Sequence, residues 1–116
     1  MEPEWEAKQL QVCRRFGVEP YPTPRQLKVG IARNVKDQIA PVQGIRHPPE
    51  GDTTGWYIFA GEEMSRDDDF FIPLHVEHLE RWCPQAIPYL LLPPGWGFVV
   101  APGYEDVYFN ERLLKV

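Results

Sequence analysis

The chain has one serine and two cysteines in 116 residues, and basic charge is scarce. Ser65 lacks a Gly-x-Ser-x-Gly setting, so the strained turn that presents a nucleophilic hydroxyl is missing. Cys13 and Cys83 are too few for a disulfide framework and lack CxxC spacing, which makes a reducing cytoplasm the simplest location. No run approaches about eighteen apolar residues, so no helical membrane span is expected. Twelve Lys and Arg against seventeen Asp and Glu leave a formal charge of −5. That balance argues against nonspecific contact with nucleic acid or an anionic membrane, both of which need clustered Lys and Arg. The acidic start Met1-Glu2-Pro3-Glu4 is unlike a secretory signal. The nine glycines form neither a Gly-x-Gly-x-x-Gly nor a Walker pattern, and no cofactor is implied.

What is present is stiff and aromatic. Thirteen prolines accompany 13% aromatic and 43% hydrophobic residues, a mixture that a disordered chain lacks. The length suits a single domain over 1–116 with one core.

A helix is expected over about 4–16, where Trp5, Val12, Cys13 and Phe16 share one face and Gly17 supplies a stop. Residues 18–26 hold three prolines and read as a rigid connector. Strands are expected at Leu27–Arg33 and Val42–His47. A third, Gly55–Gly61, is apolar on both faces and therefore central. Residues 73–83 read as a helix whose apolar arc holds Val76, Leu79, Trp82 and Cys83 and which ends at Pro84, with a further helical turn over 84–90. Trp96–Ala101 and Tyr104–Phe109 form a hairpin across Pro102-Gly103. Strands 1 to 3 follow one another without an intervening helix, so antiparallel pairing is expected among them. The expected fold is α+β, a five-stranded, mainly antiparallel sheet with an N-terminal helix and one helix inserted between strands 3 and 4.

The residue pattern admits two catalytic chemistries. His75 and His78 stand i,i+3 near Glu62, Glu63 and Cys83, which suggests a metal site. On the expected helix His75 falls inside the apolar arc and His78 at its margin, so a buried, hydrogen-bonded His75 beside a half-exposed His78 is the plainer reading. Carboxylates are plentiful in Glu62-Glu63, Asp67-Asp68-Asp69 and Glu105-Asp106, as acid–base work needs. Adjacent strand residues point to opposite faces, however, so Glu105 and Asp106 cannot form a dyad alone. Acids in the loops of a −5 protein are ordinarily a solvated surface.

The unusual feature is acid interleaved with aromatics. Alternation places Tyr104, Asp106 and Tyr108 on one face of the last strand and Glu105, Val107 and Phe109 on the core face. Two tyrosines beside a carboxylate suit a protein partner of basic charge. They equally suit a core edge beneath a helix, or a homodimer.

Several segments resemble one bacterial family. They are Gly55-Trp56-Tyr57-Ile58-Phe59-Ala60-Gly61-Glu62-Glu63, Asp67-Asp68-Asp69, Pro73 to Leu79, Leu92-Pro93-Pro94-Gly95-Trp96, and Gly103-Tyr104-Glu105-Asp106-Val107-Tyr108-Phe109. The family is an immunity-protein family, number thirty-three in the polymorphic-toxin series, formerly a domain of unknown function. The resemblance covers residues 27–114 and leaves the N-terminal helix and connector, residues 1–26, outside its clearest part. It implies a small cytoplasmic, non-enzymatic protein that protects its producer by binding a toxin, with Trp56, Glu62, Glu63, Glu105 and Asp106 as the matching positions most apt to matter. Together with the residue pattern it gives an expected partner surface of Trp56, Glu62, Glu63, Asp67, Asp68, Asp69, Tyr104, Glu105, Asp106 and Tyr108, facing a basic toxin domain. The rival readings are a small metal-dependent or acid–base enzyme using His75 and His78, and a regulatory interaction module with no toxin.

Overall fold

A computed structural model describes residues 3–115 of the chain. The N-terminal helix α1 spans Pro3–Arg15 and buries Trp5, Val12 and Cys13, as the spacing predicts, together with Gln9. It ends at Gly17, whose φ of +68° suits a residue without a side chain. Val18 N–H reaches the Cys13 carbonyl at 3.0 Å and Gly17 N–H the Arg14 carbonyl at 3.3 Å, the bond pair of a Schellman cap. The Pro-rich segment that follows carries no helix or strand until β1.

Six strands follow: β1 (Lys28–Ala32), β2 (Val42–Arg46), β3 (Thr53–Ala60), β4 (Phe71–His75), β5 (Trp96–Ala101) and β6 (Tyr104–Phe109). They form one sheet in the order β4-β1-β3-β2-β5-β6. Every neighbouring pair is antiparallel except β1 and β3, which run parallel. The expectation of five mainly antiparallel strands therefore needs two corrections.

The first concerns the parallel pair. β2 does run opposite to β1, but it does not lie beside it. β3 turns back from β2 and fills the slot between them, so it must run with β1. The Asn34 side chain clasps the end of β3 from the connecting segment. Its Nδ2 donates to the Ala60 carbonyl at 2.8 Å, and its Oδ1 accepts from the Ala60 N–H at 3.0 Å.

The second concerns the inserted helix. Residues 71–75 are an edge strand, and only then does the chain coil, through a 3-10 turn at Val76–His78 into the single helical turn α2, Leu79–Trp82. Pro73 sits in the middle of β4, tolerable because an edge strand leaves one row of N–H positions unpaired. Ile72 and Leu74 reach the core by a period of two, whereas Val76, Leu79 and Cys83 reach it by coiling. At 100° per residue Ile72 falls on the same helical face as Val76, Leu79 and Cys83, and that coincidence conceals the boundary. A 3-10 segment then covers Pro84–Tyr89, where the short helical turn is expected.

The register assigns each residue a face. Val29, Ile31, Val42, Trp56, Ile58, Ala60, Phe98 and Val107 point to one side, beneath α1 and the Val76–Leu92 segment, and make the core. The Arg46 side chain lies there too, fully buried, with no carboxylate for a partner. Its nitrogens donate to the carbonyls of Thr54 at 3.0 Å, Leu90 at 3.1 Å, Leu92 at 2.8 Å and Pro22 at 2.8 Å. The Leu90 carbonyl also accepts from the Trp56 indole at 3.0 Å and from the Thr23 hydroxyl. These bonds tie the Pro-rich connector, the sheet and the covering layer at one point, and every donor of the fork that bonds finds a backbone acceptor rather than a charge.

Candidate functional site: the open face of the sheet

Among the described residues neither α1 nor α2 covers the opposite face, and the C-terminal 3-10 turn Glu111–Leu114 reaches its margin, where the Leu113 carbonyl bonds the His47 ring. Following the pairs across the six strands, one row runs Pro73, Gly30, Tyr57, Ile45, Gly97, Tyr108. The next runs Phe71, Ala32, Phe59, Gln43, Val99, Asp106. Glycines in the first row let two tyrosines lie across the sheet. A Cβ on Gly30 would meet Tyr57 Cδ1 at 2.6 Å, and a Cβ on Gly97 would meet Tyr108 Oη at 2.6 Å. An open β face so rich in rings departs from the polar outer face usual for a half-covered antiparallel sheet.

The segment between β3 and β4, residues 61–70, folds over one end of this face. Gln43 holds it by donating Nε2 to the Gly61 carbonyl at 2.8 Å and the Glu62 carbonyl at 3.2 Å. Phe70 anchors the far end, with its ring centroid 4.9 Å from Phe71 and 6.3 Å from Phe59. Between these anchors Glu62, Glu63, Asp67, Asp68 and Asp69 are all exposed. The apolar anchors hold the loop to the sheet, and its carboxylates project from that hold into water.

Asp106, Tyr104 and Tyr108 occupy the outward face of β6, on the same side of the sheet as the loop. Asp106 lies two strands from Gln43, about 10 Å at ordinary strand spacing. Tyr104 is 57% exposed, while Tyr108 is half-buried across Gly97. Burial, and then the Asp106 charge, push the Tyr108 phenol upward from its ordinary pKa.

Two members of the expected surface are placed otherwise. Trp56 is 1% exposed and packs on Phe98 in the core, so no partner reaches it without unfolding the sheet. Glu105 belongs to the covered side. It accepts from Arg15 Nη1 and Nη2 at 2.8 and 2.9 Å and from the Tyr89 hydroxyl. The Arg15 guanidinium first, then the Tyr89 hydrogen bond, hold its carboxyl down at about 2. Val107 shares that side partly buried, as expected, but Phe109 is 53% exposed, with its ring against Trp96.

The histidine pair also departs from expectation. His75 is the exposed last residue of an edge strand, not a buried helical residue, and its ring lies 6.5 Å from that of His78. Among the described residues no group of three or more His, Cys, Asp or Glu side chains gathers to hold a metal. Both cysteines are buried and free, and burial raises the pKa of each thiol, that of Cys83 to about 11. Such thiols are held away from the reactive thiolate form.

Reasoning from the sequence missed a cavity of about 540 Å³ on the open face. Ile45, His47, Tyr57 and Phe71 line it from the sheet, Met64 from the acidic loop and Glu50 from the β2–β3 turn. The signal was faint but present. Ile45 and His47 alternate with residues of the covered face, so the outward side of β2 is visible in the pattern once strand 2 is placed beside strand 3.

Fold and site together define an α+β protein whose sheet is covered by α1 and the Val76–Leu92 segment on one side and carries an aromatic, acid-flanked face on the other. The chain belongs to the Imm33-like domain family, whose profile matches residues 8–110. The match begins inside α1 and so takes in the Pro-rich connector as well as the whole sheet. No curated protein and no solved structure matches the chain. Among the described residues no helix is long and apolar enough to cross a membrane.

Proposed function

We propose that this chain is a non-enzymatic immunity protein that acts in the cytoplasm by binding and occluding a basic toxin domain with the open face of its sheet. One observation carries the reading. The acidic loop, with Glu62, Glu63 and Asp67 to Asp69, and the β6 residues Tyr104, Asp106 and Tyr108 lie on the same open side of the sheet. Aromatic area at the centre and carboxylates at the rim are the usual division of labour in a protein interface. The net charge of −5 adds long-range attraction to a basic partner. Membership of the Imm33-like family supports the protective role.

The test is rescue. The chain is co-expressed with toxin domains encoded beside it, survival is scored with and without it, and the pair is co-purified. Survival with a stable stoichiometric complex is the expected result. Survival without a complex overturns occlusion and favours a catalytic mode of protection. Death in the presence of folded, soluble chain overturns the immunity role for those toxins.

A further inference from the structure

We propose that the open-face cavity is a cation-accepting anchor site, which takes one arginine or lysine side chain of the protein partner. The inference rests on the open face being the partner's docking surface, and adds which chemistry it recognises there.

The lining argues for a cation. Tyr57 and Phe71 meet edge to face, with centroids 5.2 Å apart, and His47 meets Tyr57 in the same way at 5.4 Å. Three aromatic rings thus contribute to one lining, and ring faces carry the negative part of the aromatic quadrupole. Met64 closes the loop side with a polarisable thioether. Glu50 is the only side chain of the lining with a formal charge, and no Lys or Arg contributes to it. Glu62 and Glu63 directly precede Met64 in the overhanging loop.

His47 supplies a further acceptor. Its Nδ1 lies 2.7 Å from the Leu113 carbonyl, which can only accept, so Nδ1 carries the proton of that bond. In the neutral ring Nε2 is then left with its lone pair, ready to accept from a guanidinium or ammonium N–H.

The site is also built rather than incidental. Gly55, in the lining, has φ +89°, and a Cβ there would come within 1.9 Å of the His47 carbonyl oxygen. Gly30 likewise gives way to the Tyr57 ring. Gly55 thus allows the close approach of the His47 backbone and Gly30 that of the Tyr57 ring, both residues of the lining. The cavity near Val35, Ile39, Val42 and Val100, by contrast, contains no acidic side chain in its lining and offers nothing specific to a cation.

The experiment is a titration of the full chain with N-acetyl-arginine methylamide, followed by NMR of the Tyr57 and Phe71 ring, His47 imidazole and Met64 methyl signals. N-acetyl-norleucine methylamide serves as the neutral control of similar reach. Saturable millimolar shifts of those signals with the arginine probe alone are expected. Glu50→Gln, at an exposed position, is expected to weaken the probe by ~fivefold, the worth of a partly exposed charge pair. Equal binding of the norleucine probe, shifts confined to the acidic loop, or no saturation would each overturn the proposal. The titration involves no toxin, so its outcome is independent of the rescue assay. Conversely, rescue that survives Glu50→Gln together with His47→Phe in a chain of unchanged stability would remove the anchor while leaving the immunity role intact.

Discussion

Arg15, at the end of the N-terminal helix, grips Glu105 of the last strand with both guanidinium nitrogens, at 2.8 and 2.9 Å, across 90 positions of sequence. Tyr89 donates to the same carboxylate from the covering layer. Three elements are therefore fastened at one carboxyl group. This draws an acidic residue of an acid-aromatic strand to the covered side of the sheet.

That latch predicts a pH signature. The folded-state pKa of Glu105 is depressed to about 2, so its stabilisation is complete above the ordinary carboxylate range and is lost as pH falls toward 2. Glu105→Gln should lower stability by about 1 kcal/mol at pH 7, since the pair is partly exposed and screened. Urea midpoints of the two proteins should converge between pH 4 and about 2. A gap that stays constant across that range would show that the latch works through shape, not charge.

Arg46 should be intolerant of lysine. Its planar fork satisfies carbonyls of Thr54, Leu90, Leu92 and Pro22 in different directions, which a point-like ammonium cannot do. Arg46→Lys is expected to cost about 2–4 kcal/mol in urea unfolding, through buried carbonyls left without donors. Arg46→Lys with an unchanged midpoint would mean that water replaces the missing donors.

Trp56 and Tyr104 should separate fold from binding. Trp56→Phe removes the bond to the Leu90 carbonyl and part of a core ring, at a cost of about 1–3 kcal/mol. Its effect on toxin affinity should vanish once the folded fraction is corrected for. Tyr104→Ala, on a half-exposed side chain, should leave the thermal midpoint nearly unchanged and weaken the complex by about 1–2 kcal/mol, measured by calorimetry. The reverse pattern would put the interface elsewhere.

Neutralising the loop should act on association. Amide replacements at Glu62, Glu63, Asp67, Asp68 and Asp69 are expected to slow the on-rate about tenfold or more at low salt. The difference should shrink as ionic strength rises past about 0.15 M, where the Debye length falls to about 8 Å. Stopped-flow traces that coincide with wild type at low salt would detach the loop from the encounter.

Much of the architecture was legible because local rules decide it. Gly17 and Pro3 bound α1, Pro102-Gly103 joins β5 to β6, and strict alternation set the faces of β6. The strand β4 was not legible, because Val76, Leu79, Trp82 and Cys83 share a helical face and the helix they indicate extends back over its last residues. Nor was the site complete. Alternation could name Tyr104, Asp106 and Tyr108 as outward, but it could not say that the Glu62–Asp69 loop folds onto the same side, since that depends on Phe70 finding Phe59 and Phe71.

The sequence by itself determined the acid balance, the absence of familiar catalytic and phosphate-binding motifs, the helix and strand segments marked by proline and glycine, and which side chains share a strand face. Those are properties of composition and of neighbours within a few residues. Tertiary structure alone decided that β3 enters between β1 and β2, that Trp56 and Glu105 serve the fold, and that His47, Tyr57, Phe71 and Met64 converge on one cavity. Strand order and side-chain convergence are contacts between distant segments, and their energies arise from shared burial that no local pattern records.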